Sequence, residues 1–304
     1  MPKISIIIIC YNMRREVPRT VQSFLPPYQQ GVEAGDVEVI VLENGSPDPL
    51  WESTIAEWGS SVRYVNVPNP SPSPADALNL GVKLARAPVV CPVIDGARMA
   101  SPGLLKFGLK ALEDHPGSFV TSVGFHLGFE RQSISALKGY NQTEEDRLLE
   151  QVDWFNNGYR LFEIATSAGS AKAGWFGDVA ESNAPVLTKE TYDRIGGFEP
   201  AFDFAGGGLV NLDFFNRAMD DASIQHLMIL GEGTFHQFHG GATTSKAVSD
   251  LEQDGRTTWR RYADQYHSIR GKPFSVVRKL PILYGTLRPE MIKFCAELIE
   301  QAQS

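Results

Sequence analysis

Four short runs rich in Ile and Val recur through the first third of the chain, at Ile4 to Cys10, Val37 to Leu42, Val62 to Val67 and Val89 to Ile94. β-Branched runs of this length predict strands. Between them Val17, Val21, Phe24 and Leu25, and later Ala77, Leu80, Gly81 and Leu84, fall at the spacing of one helix face. Strands alternating with amphipathic helices build a parallel sheet covered on both sides, so this order predicts an α/β domain.

Downstream signals extend the pattern. The proline-rich stretch from Pro68 to Pro74 predicts a loop, and Pro102 opens a helix capped by Ser101 that runs towards Asp114. A strand is expected from Ser118 to Phe129 and a polar helix around Thr143 to Val152. Thr188 caps a helix over Lys189 to Ile195 that stops at Gly196 and Gly197. A further helix carries Asn211, Asp213 and Arg217 behind the glycines Gly206 to Gly208. From Val248 the tail reads as mostly helical, interrupted between Pro273 and Pro289.

Composition narrows the function. A chain of 304 residues buries one substantial core. A net charge of -8 argues against a general nucleic-acid binder, which needs a cationic face. Cys10, Cys91 and Cys295 are too scattered for a zinc site or a disulfide framework. The N-terminal apolar run ends at Cys10, short of a membrane span and without a small-residue cleavage site, so a cytoplasmic protein is expected. Peripheral contact with a membrane surface stays open, and the tail offers a surface for a homodimer.

An open α/β sheet binds its ligand at the carboxyl ends of its strands. Here those ends are polar: Cys10-Tyr11-Asn12, Glu43-Asn44-Gly45-Ser46 and Asp95-Gly96-Ala97-Arg98. Any one of them is an ordinary turn; together they mark one ligand edge. The chain has neither a Gly-rich dinucleotide turn after its first strand nor a GxxxxGK[ST] phosphate loop.

The ordered set SIIIICYN, VIVLENGSPD, ADALNLGVKLA, VCPVIDGARMASPGLL, GGFEPAF and HQFHGG resembles the family 2 glycosyltransferases over roughly residues 3 to 245. The resemblance implies a GT-A fold, a mostly parallel central sheet flanked by helices. The fold would occupy 1–245, with a nucleotide-binding half at 1–115, an acceptor-binding half at 116–245 and a helical C-terminal extension at 246–304. It also implies hexosyl transfer from a nucleoside-diphosphate sugar to a saccharide or lipid-linked hydroxyl, with inversion.

On that resemblance Cys10, Tyr11, Asn12, Glu43 and Asn44 line the base and ribose, with Asp76 and Asn79 as further candidates at the third helix. Glu43 stands where the family usually has Asp. The family's Asp-x-Asp metal motif becomes Asp95-Gly96-Ala97, and Ala97 has no ligating atom. His236 and His239 are the candidates to complete a divalent-metal site with Asp95, one as ligand and one as orienting partner, and imidazole suits Mn2+ better than Mg2+. Arg98 offers a metal-independent alternative, a fixed guanidinium beside the diphosphate.

The family's acidic pair at a helix N-terminus becomes Val210 and Asn211, leaving Asp213 as the candidate base. On a regular helix Asp213 lies about 200° round from Asn211, and it can equally pair with Arg217. Asp178 and Glu181 are the alternative bases. The segment Gly174-Trp175-Phe176-Gly177 is either an acceptor platform or core. Two other functions stay open at this point: a nucleotidyltransferase using Arg14-Arg15 as its basic loop, and a nucleotide-sugar-binding protein with degenerate catalysis.

Overall fold

In the computed structural model of the chain, the described residues are 1–171, 174–239 and 248–295, with the side chains of 248–257 and 290 left aside. The strands are β1 (Ile4–Cys10), β2 (Val37–Glu43), β3 (Val62–Asn66), β4 (Val89–Val93), β5 (Arg98–Ala100), β6 (Phe119–Leu127), β7 (Ala165–Ser167), β8 (Leu187–Thr188), β9 (His226–His236) and β10 (Ile282–Gly285). The α-helices are α1 (Glu16–Ser23), α2 (Glu52–Ala56), α3 (Ala75–Leu84), α4 (Leu104–Asp114), α5 (Gln132–Ser135), α6 (Gln142–Val152), α7 (Lys189–Ile195), α8 (Val210–Asp220) and α9 (Val248–Arg270).

One sheet has the order β3-β2-β1-β4-β8, parallel except for β8. Every residue of β1 is buried because both faces are covered. Ile4, Ile6, Ile8 and Cys10 enter one core; Ile7 and Ile9 enter the other. At roughly 1.5–3 kcal/mol per buried aliphatic side chain, this continuous apolar run specifies the central position of β1. A second sheet, β10-β9-β6-β7, carries β5 as an additional partner of β9. The turn from β4 to β5 is where the chain passes from one sheet to the other.

Some expected elements change. The helix after Pro102 is not capped by Ser101, whose hydroxyl instead donates to the buried Glu232 at 2.5 Å, and α4 starts at Leu104. The expected α7 forms with Thr188 Oγ1 accepting from Thr191 N at 3.1 Å and Gly196 in the left-handed conformation. The tail is helical over α9, and the interruption expected between Pro273 and Pro289 contains a strand. Ile282–Gly285 joins β9 as a parallel edge strand. The segment holding His236 is likewise a strand rather than a loop, an 11-residue one.

Candidate active site

Asp95, His236 and His239 converge at the carboxyl edge where the two sheets meet. Asp95 follows β4 and His236 ends β9, paired in register with Arg98 of β5 and His126 of β6. One ligand atom from each of Asp95, His236 and His239 lies within 4.8 Å of the others. Asp95 holds φ +68°, a conformation that Asp tolerates better than most residues and that turns its carboxylate towards the histidines. Gly96 is required beside it, since a Cβ there would stand 2.5 Å from the Ile9 carbonyl oxygen. Ala97 is fully buried in the core, and its methyl brings no ligating atom to the site.

With both imidazoles unprotonated at Nε2, acceptors face acceptors in this cluster. The fully buried Gln132 donates from Nε2 to the His236 carbonyl at 2.9 Å and accepts from His236 Nδ1 at 2.7 Å. The reverse amide orientation would set two carbonyl oxygens together, so the proton of His236 sits on Nδ1. In the neutral imidazole the Nε2 lone pair then points at Asp95 Oδ2, 3.2 Å away, and at His239 Nε2, 3.1 Å away. A divalent cation would satisfy all three groups at once, through one carboxylate and two imidazoles. Burial pushes the Asp95 carboxyl up, but the positive charge His236 carries when protonated, together with Arg98, outweighs it and holds the group well below the usual carboxylate range. Burial, with His236 and Arg98 nearby, pushes His126 down to about 3, so it is neutral here.

The expectation of one ligand and one orienting partner from the two histidines is corrected. Both turn inward, because His236 ends a strand and the chain bends after it, where Gln237 N donates to the Ala97 carbonyl at 2.8 Å. The orienting partner is Gln132, which the sequence reading missed along with His126. Arg98 lies 3.8 Å from Asp95, donates from Nε to the Ile94 carbonyl at 3.1 Å, and leaves Nη1 buried without a partner. Gly240 and Gly241 of HQFHGG fall outside the described residues.

At the neighbouring strand ends, Tyr11 is half exposed and Asn12 holds φ 54° with its N–H on Ser46 Oγ at 2.8 Å. Cys10 contributes only its carbonyl, which accepts from Asn44 N at 2.9 Å; its thiol points into the core, and burial with Glu43 nearby pushes it up. Glu43 turns inward as well. It accepts from Tyr64 at 2.9 Å and from Ser46 N at 2.9 Å, and so shapes the turn. Asn44 donates to the Ser71 carbonyl at 2.8 Å, and Asp76 is exposed on the first turn of α3. Asn79 instead clamps the GGF turn through Phe198 N and O and Tyr192.

The expected base, Asp213, is corrected. It is fully buried beneath two guanidinium groups, Arg217 Nε at 2.8 Å and Arg270 Nε at 2.7 Å, and so ties α8 to α9. The helix period explains this, since Asn211 faces the other way. Breaking a buried pair leaves its partners uncompensated. Asp213→Asn is therefore expected to lower folding stability by about 3 kcal/mol in denaturant titration, with kcat of the folded enzyme changed less than about twofold.

On the opposite side of α8, Asn211 Nδ2 donates to Glu181 Oε2 at 2.8 Å and to Asn183 Oδ1 at 3.2 Å. The Asn183 carbonyl accepts from Ile94 N at 3.0 Å, which brings this segment alongside the approach to Asp95. Asp178 is exposed and pairs with Arg278 at 3.1 Å. Trp175 is core: fully buried, it donates to the Glu232 carbonyl at 2.8 Å and packs on Phe125. The basic pair a nucleotidyltransferase would need is already engaged, Arg14 by Asp48 and Arg15 by Glu16, Glu145 and Asp146.

A parallel sheet with a polar carboxyl edge, joined at the β4–β5 turn to a second mixed sheet that delivers a late histidine, defines a GT-A type domain. The chain belongs to glycosyl transferase family 2, whose profile matches residues 5–162. Among solved structures it is similar to S. aureus TarS 1–349 in complex with UDP, at 13% identity and TM-score 0.52 over 87% of this chain and 65% of that one. The longer S. aureus TarS structure gives TM-score 0.48 at 13% identity, covering 87% of this chain and 40% of that one. At this identity the likeness is one of fold, and the chain spans just under two thirds of the first of these structures. No curated protein sequence matches the chain. Among the described residues no helix is long and apolar enough to cross a membrane.

Proposed function

We propose that the chain transfers a sugar from a nucleoside-diphosphate donor to a hydroxyl of a saccharide or lipid-linked acceptor, by direct displacement with inversion. The observation that carries this reading is the convergence of Asp95, His236 and His239 at the carboxyl edge, with the His236 tautomer fixed by Gln132. These three residues would hold a divalent cation, Mn2+ in preference to Mg2+, which supplies charge to bind the diphosphate and stabilise it as leaving group. Arg98, with a buried N–H still unpartnered, stands beside the same anion. The Tyr11–Asn12 and Asn44–Ser46 turns take the nucleoside, and uridine is the first base to test because the TarS structure holds UDP.

Glu181 is the base. Its carboxylate takes the acceptor proton as the acceptor oxygen attacks the anomeric carbon from the face opposite the diphosphate. The anomeric C–O bond breaks, its electron pair leaves with the diphosphate, and the configuration inverts. Asn211, in the place of a family acid, holds Glu181 by its amide instead of abstracting the proton itself. Three buried, unpaired thiols agree with a reducing compartment, so a cytoplasmic location belongs to the proposal.

A panel of UDP- and GDP-sugars with Mn2+ tests the reading. Slow release of nucleoside diphosphate from at least one donor, or its thermal stabilisation of the protein, is expected. Indifference to every donor, with and without Mn2+, would overturn it.

A further inference from the structure

His239 lies beyond the end of β9, where no strand ladder holds the backbone, yet it returns to within 3.1 Å of His236. The residue before it is held from both sides. Phe238 N donates to Glu145 Oε2 at 2.7 Å, and the Phe238 carbonyl accepts from Arg15 Nη1 at 3.3 Å. Arg15 in turn bridges to Glu145 Oε1 at 3.1 Å, Asp146 at 2.8 Å and Glu16 at 3.0 Å. The Tyr140 ring packs edge-on against Phe238 with centroids 5.7 Å apart.

Glu145 is fully buried and Glu16 nearly so. A buried ion pair is an expensive way to join two helices, since apolar side chains of similar size hold them at least as well. What this pair adds is direction: a carboxylate takes the N–H of Phe238 and a guanidinium takes its C=O, so the peptides on both sides of that residue are held. The second of these peptides joins Phe238 to His239.

We propose that Glu145 and Arg15 are positioning residues for the cation site, fixing the Phe238 backbone so that His239 reaches Asp95 and His236. The inference rests on the cation-site reading of those three side chains. Neither Glu145 nor Arg15 needs to touch the metal. Outer partners of ligands typically govern about 10- to 100-fold in metal affinity. Through this pair the acceptor-side helix α6 and the donor-side helix α1 would both set the strength of the site.

The test uses the full chain with Mn2+ alone as probe, read by electron paramagnetic resonance for affinity and by nitrogen modulation for bound imidazole. Wild type is expected to show two histidine nitrogens. E145Q is expected to bind Mn2+ about 10- to 100-fold more weakly and to lose one nitrogen, as H239A does. E145Q placed in an H239A background is expected to weaken binding less than about twofold further, because both changes act on one ligand. Metal-free UDP binding, which a general loss of structure would reduce, should stay within about twofold in E145Q. If E145Q fails to fold, R15K carries the same comparison.

An E145Q protein with wild-type affinity and both nitrogens overturns the positioning role while leaving the cation site intact. So does a loss that adds in full to that of H239A. A wild type with no histidine nitrogen on Mn2+ overturns the cation-site reading itself, and the positioning role with it.

Discussion

Asp95→Asn is expected to lower kcat/KM by about 1,000-fold or more, equivalent to about 4 kcal/mol of transition-state stabilisation, while leaving the fold intact. Asn accepts the left-handed backbone that residue 95 requires, and it matches Asp in size. What it removes is the one negative charge among the three converging groups. Mn2+ affinity should fall with activity, and thermal unfolding of the metal-free protein should shift little. Steady-state kinetics beside a Mn2+ titration check both. Full activity in Asp95→Asn would mean that the charge opposite the diphosphate comes from elsewhere, with Arg98 the nearest cation.

Glu181→Gln is expected to give a different profile. Losing a general base typically costs about 100- to 10,000-fold, so kcat should fall by that order. The donor KM and Mn2+ affinity should hold within about threefold, because Glu181 lies on the Asn211 side of the site. Gln keeps an oxygen that can accept from Asn211. Single-turnover assays with a saturating donor separate this loss from one of binding. The contrast with Asp213 is the informative part: one carboxylate should carry turnover with little stability, the other stability with little turnover. Reversed outcomes for the two variants would restore Asp213 as the base.

Much of the first sheet was legible because its cause is local. A run such as Ile4 to Cys10 has few ways to bury every side chain, and a central parallel strand is the usual one. Polar residues at the strand ends pointed to a ligand edge, and Asp95 with the late histidines, read as one cluster, do lie together. The position of His236 on a strand was harder to see. Gly231 and Gly233 give that stretch the composition of a loop, yet Gly233 is there because the Phe125 ring fills the space a Cβ would need, with a ring carbon 2.6 Å from that position. That reason lies in another strand and leaves no local trace.

The supports of the site were invisible for a related reason. Gln132 sits on a four-residue helix 104 positions from His236, and nothing in its neighbourhood sets it apart from other surface-type amides. Arg270 meets Asp213 across 57 positions, so only the nearer partner, Arg217, could be read from helix spacing. Glu181 was named only as an alternative to Asp213. Its link to Asn211 spans 30 positions and two loops, and no periodicity encodes it.

A crystal soaked with UDP and Mn2+, with an anomalous difference map collected at the manganese edge, tests the central claim most directly. The account predicts one manganese peak bonded to Asp95, His236 Nε2 and His239 Nε2, with the diphosphate of UDP on its open side and the uridine towards Tyr11. Diphosphate bound at the carboxyl edge with no peak among those three side chains, or a peak away from them, would contradict it.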